Sequence, residues 1–88
     1  MTTREVTIVN TLGLHARAAA RFVHLASRFT SQIRVSRAGR TMDGKSILGL
    51  LLLSAGRGTV IDISAEGPDE AQAIDALAGL AGRGFEET

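Results

Sequence analysis

No cysteine occurs in this chain of 88 residues, which excludes disulfide staples, thiolate metal sites and a cysteine nucleophile. Tryptophan and tyrosine are also missing, and three phenylalanines offer little surface on which nucleic-acid bases could stack. Ten Lys and Arg against nine Asp and Glu leave a net charge of +1, without the basic excess of a nucleic-acid binder. A long apolar run is lacking as well. The longest, Ile47–Leu53, is interrupted by Gly49 and is too short to cross a bilayer, so no membrane insertion is expected. The opening MTTREVTIVN shows no charged segment followed by an apolar one, and a cytoplasmic location is the expectation. What is present is aliphatic: the 44% hydrophobic content is mostly Ala, Val, Ile and Leu, enough for the two-layer core of a single domain over residues 1–88.

Val6 and Ile8 alternate with Glu5 and Thr7, predicting a half-buried strand that ends near Asn10. Residues 16–29 read as a helix, because Phe22, Leu25, Ala26 and Phe29 fall at i, i+3, i+4 and i+7. Arg17, Arg21, His24 and Arg28 follow the same rhythm on another face. Ile33 and Val35 mark a second strand, and Ala38-Gly39 turns it into a third over residues 40–42. Ser46 is placed to N-cap a short helix over residues 47–54, which Gly56-Arg57-Gly58 stops. Ile61, Ile63 and Ala65 mark a fourth strand. Asp69 is the expected cap of a last helix with Ile74, Leu77 and Ala81 inward, weakened near its end by Gly79, Gly82 and Gly84. The order βαββαβα predicts an α/β (α+β) fold. It is an open-faced two-layer sandwich, a four-stranded antiparallel sheet covered on one face by three helices.

The segment Gly13-Leu14-His15-Ala16-Arg17 places a histidine where a strand-to-helix turn ends. The first amides of a helix lack intrahelical acceptors and, with the helix dipole, form an anion site. A phosphoryl group on His15 would set its oxygens against the amides of Ala16 and Arg17, and Arg17 adds a planar guanidinium. Gly13 permits the tight turn that exposes the ring. Imidazole suits this chemistry, since an ordinary pKa near ~6.5 leaves a neutral nucleophilic nitrogen at neutral pH. The bare pattern is equally consistent with a histidine that only caps the helix. His24, on the arginine stripe, reads as a surface residue. No metal ligands or general base lie near His15 in sequence, so neither metal nor cofactor is expected.

Gly13-Leu14-His15-Ala16-Arg17, followed by small residues, resembles the active-site signature of the histidine-containing phosphocarrier family, HPr, of the bacterial sugar phosphotransferase system. The resemblance spans essentially the whole chain. TMDGKSILGLLLL, residues 41–53, resembles that family's regulatory serine segment, and residues 58–67 resemble its last strand. The resemblance implies a stoichiometric carrier, not an enzyme, in which His15 takes phosphate from enzyme I and gives it to IIA-type proteins. It also implies a regulatory site at Ser46 for an HPr kinase. The family usually has proline after the arginine; here Ala18 keeps the helix and its own amide, which implies a slightly looser site.

The helix over residues 47–54 is apolar on every side, more than a short helix can bury. With Leu50 and Leu53 facing the sheet, Ile47, Leu48 and Leu51 are expected outward, and burying each against a partner is worth roughly 1.5–3 kcal/mol. Ala16, Ala20 and Val23 on the first helix, with Arg17, Arg21 and His24, extend this into an apolar patch ringed by cations. Such a patch suits an acidic, partly hydrophobic partner. The chain is expected to act as a monomer. Two alternatives stand beside this reading. One is a nitrogen-related regulatory carrier of the same family, which the ending Gly84-Phe85-Glu86-Glu87 resembles; the other is a non-catalytic α/β binding domain in which His15 is incidental.

Overall fold

The computed structural model describes residues 1–87. Its elements run β1 (Thr2–Thr7), α1 (Ala16–Ala26), β2 (Gln32–Arg37), β3 (Arg40–Asp43), α2 (Ile47–Leu51), β4 (Val60–Glu66) and α3 (Glu70–Gly82). One further turn, Gly84–Glu86, follows. The four strands form one sheet in the order β1-β4-β2-β3, every pair antiparallel. The open-faced sandwich read from the sequence is therefore the architecture of the chain.

Period-two alternation sets the register. Val6 lies opposite Ile61, Ile63 opposite Val35, and Ala65 opposite Ile33, so these side chains share the covered face. Phe22, Leu50, Leu53, Ile74, Leu77 and Phe85 close over them from the helical layer, each at most 1% exposed. The β2–β3 hairpin turns through Ala38 and Gly39 at φ of 51° and 80°, the paired left-handed values of a type I′ turn.

Several element ends differ from the sequence reading. β1 stops at Thr7, although Ile8 still donates its amide to Thr59 and accepts from Gly58. α1 ends at Ala26 instead of Phe29: the Ser27 hydroxyl takes the Val23 carbonyl, and Arg28 and Phe29 bond back only three residues. Phe29 still packs against the core, and its carbonyl is held by Lys45 Nζ at 2.7 Å. α2 stops at Leu51, its end closed by Arg37 on the Leu53 carbonyl and Arg40 on the Leu52 carbonyl. α3 continues through Gly79 because Leu80 and Ala81 beyond it are buried, and packing outweighs the weak propensity of glycine.

Asp69 occupies the cap position of α3 but makes no side-chain cap bond. Its carboxylate instead takes the amides and hydroxyls of Thr30 and Ser31, across the loop from α1 to β2. These bonds, led by the Ser31 hydroxyl, hold its pKa down to about 2.

Candidate functional site

The turn from β1 into α1 is built on Gly13. Its φ is +67°, and a Cβ there would lie 2.5 Å from the Ala55 carbonyl oxygen, so only glycine fits. The Leu14 amide bonds to that same carbonyl at 2.8 Å, which fixes the approach to His15.

His15 is the N-cap residue of α1, with an extended backbone (φ −81°, ψ −179°). Its Nδ1 accepts the Arg17 amide at 3.3 Å, the long end of hydrogen bonding, and its Nε2 meets Glu87 Oε2 at 2.6 Å. These partners assign the tautomer. A nitrogen that accepts an amide N–H carries the lone pair, so the ring proton sits on Nε2 and is donated to Glu87. The side chain is 26% exposed, open enough for a partner to reach.

The Arg17 amide is thus engaged by the ring itself, not free as the sequence reading had it. The amides of Ala16 and Ala18 meet no protein acceptor among the described residues. Arg17 is exposed, and its guanidinium makes no hydrogen bond to another described residue. A cleft of about 760 Å³ opens beside it, lined by Arg17, Arg21, Arg57 and Arg83 together with Glu86 and Glu87, so cations outnumber carboxylates on one side of the helix terminus.

The expected docking patch is only partly as read. Ile47 and Leu48 are exposed, at 42% and 69%, but Leu51 is half-buried and packs against the core. Leu52 is the exposed residue instead, one turn beyond Leu48 and on its face. On α1, Ala16 and His24 are exposed and Ala20 is half-buried, whereas Val23 packs against the core. The Arg21 guanidinium is bound to the Phe85 carbonyl at 2.6 Å and so is committed within the chain. Leu12, 69% exposed beside the arginine cleft, was missed. Ser46 caps α2, its hydroxyl accepting the Gly49 amide at 3.0 Å.

Asn10 and Glu87 also escaped the sequence reading. Asn10 Nδ2 donates to the Gly13 carbonyl at 2.8 Å and to Glu87 Oε1 at 2.6 Å. The Asn10 bond, joined by the His15 ring and opposed by desolvation, holds the Glu87 carboxyl below the usual range, so it is ionised near neutral pH. A buried asparagine ahead of the glycine turn was the only signal, because Glu87 lies 72 residues from His15 in sequence.

Comparison with known proteins agrees with this architecture. A family model for the PTS HPr component phosphorylation site matches residues 2–82. The phosphocarrier protein HPr of Cupriavidus necator is 48% identical over 87 residues, covering 99% of this chain and 98% of the relative. The phosphocarrier protein NPr of Shewanella violacea is 42% identical over 84 residues, covering 96% and 92%. A crystal structure of HPr-C-His from Thermoanaerobacter tengcongensis matches with a TM-score of 0.96 at 44% identity, covering 100% of this chain and 99% of that one. Sequence and fold alike are those of small phosphocarriers. The chain belongs to the HPr family of the phosphotransferase system.

Proposed function

We propose that this chain accepts a phosphoryl group on His15 Nδ1 from enzyme I and delivers it to IIA-type proteins, as a monomeric carrier in the cytoplasm. The observation that carries the reading is the placement of Nδ1, the unprotonated ring nitrogen, against the first amides of α1. Its bond to the Arg17 amide is long and cheap to give up. When Nδ1 turns to phosphorus, that amide becomes available to a phosphoryl oxygen, alongside those of Ala16 and Ala18. The Arg17 guanidinium supplies mobile positive charge for the same oxygens. Phosphoryl transfer depends mostly on such positioning and charge, and a partner protein can bring the rest.

Ile47, Leu48 and Leu52 form the apolar side of the docking face and the arginines its charged side, which fits an acidic, partly hydrophobic partner. Phosphorylation of Ser46 would add nearly two negative charges at this face and oppose docking of such a partner. The test is reconstitution. With phosphoenolpyruvate and enzyme I the chain should become labelled, and added IIA-type protein should remove the label. A chain that stays unlabelled contradicts the reading.

A further inference from the structure

We infer that Glu87, held by Asn10, is a positioning residue that fixes the His15 ring with Nδ1 as its nucleophile and balances the positive charge the ring acquires on phosphorylation. The inference rests on the phosphocarrier reading above and gives a role to a residue beyond the 2–82 segment that the family model matches.

Three features converge on it. First, Asn10 Nδ2 spends both its hydrogens, one on the Gly13 carbonyl and one on Glu87 Oε1, so the Asn10 amide has one orientation. That leaves Oε2 aimed at Nε2. An ionised carboxylate only accepts, so Nε2 must keep its proton and Nδ1 its lone pair. Second, the chain reaches this position through a left-handed turn, with φ of 66° at Gly84, 56° at Phe85 and 62° at Glu86. Left-handed backbone is costly at the two non-glycine positions and persists only where the surroundings enforce it. Here the Phe85 ring is fully buried, and its carbonyl is clamped by Arg21. Third, the result of the turn is to fold residues 84–87 back over the start of α1 and to shield the Glu87 side chain to 17% exposure.

The chemistry explains what the carboxylate does. The Nδ1 lone pair forms the N–P bond, and the bond from phosphorus to the donor breaks, its electron pair leaving with the donor. No proton moves, because Nε2 already carries one. The ring therefore gains a full positive charge, shared across both nitrogens, with Glu87 2.6 Å from one of them. Delivery reverses the charge: the N–P bond breaks, the electron pair returns to Nδ1, and the ring is neutral again. A carboxylate that orients an imidazole and stabilises its cation without taking the proton is the role of the aspartate in serine-protease triads.

The test uses the full chain and a Glu87→Gln variant. The variant's amide nitrogen must face either the Asn10 donor or Nε2, so the relay is broken whichever way it turns. Loading from enzyme I and phosphoenolpyruvate should lose at least about tenfold in kcat, well short of the loss in a buried triad because this site is open to water. KM for the chain should change by less than about twofold, since Glu87 acts through the ring. Nitrogen-15 spectra of the wild-type imidazole, taken with no phosphoryl donor, should show the proton on Nε2, and the variant should gain the Nδ1-protonated form. Wild-type kcat in the variant, or a wild-type ring protonated on Nδ1, would overturn the inference. A wild-type chain that never loads would instead defeat the phosphocarrier reading, while the spectra would still decide whether Glu87 sets the tautomer.

Discussion

Two neighbouring residues divide the work at the start of α1. On the proposed reading His15 supplies the nucleophile; its ring is hydrogen-bonded at both nitrogens, whereas the Arg17 side chain is tied to no other described residue. That contrast separates function from stability. Arg17→Ala removes an exposed side chain without opening a cavity, so unfolding free energy should change by less than about 0.5 kcal/mol. The developing phosphoryl charge loses its cation, and transfer from enzyme I should slow by about tenfold or more. Thermal melts and transfer rates on the same preparation check both. Transfer at the wild-type rate would show that the guanidinium does not meet the phosphate.

At the scale of elements, α2 is a short helix with two unlike faces. Leu50 and Leu53 are buried, whereas Leu48 and Leu52 project to solvent. Leu48→Glu should therefore leave the melting temperature nearly unchanged and weaken binding to enzyme I, read by calorimetric titration; a large fall in melting temperature would mean that Leu48 supports the core. Ser46→Asp, tested in the same titration, should weaken binding in the same direction by adding one negative charge. The strands and helices were legible because their apolar residues recur with clear periods, as Ile61, Ile63 and Ala65 do in β4. The ends were less so, because they depend on distant groups such as Lys45 on the Phe29 carbonyl. The sequence reading turns Leu51 outward and leaves Leu52 without a face, because an all-leucine segment carries no period to read. His15 and Arg17 were visible as a local motif, but Glu87 and Asn10 meet only through the fold, and no local pattern announces a contact across 77 residues.

The whole molecule is held by a thin aliphatic core, so a single long-range tie can move its stability measurably. Asp69 is such a tie, joining the α1–β2 loop to the start of α3. Its pKa of about 2 lies below the ordinary unfolded value near ~3.9, so the folded state favours the carboxylate. The stabilisation is complete above the unfolded value and is lost as pH falls toward the folded one. Asp69→Asn should lower the urea midpoint at neutral pH, and the gap to wild type should close as pH drops toward 2. A gap that stays constant over that range would assign the stabilisation to another group. The central claim, that the fold exists to present one phosphorylatable histidine, is tested most directly by labelling with radioactive phosphoenolpyruvate and enzyme I. The wild-type chain should take up one phosphoryl group in an acid-labile, base-stable bond, and His15→Ala should take up none; label of wild-type strength on His15→Ala would contradict the account.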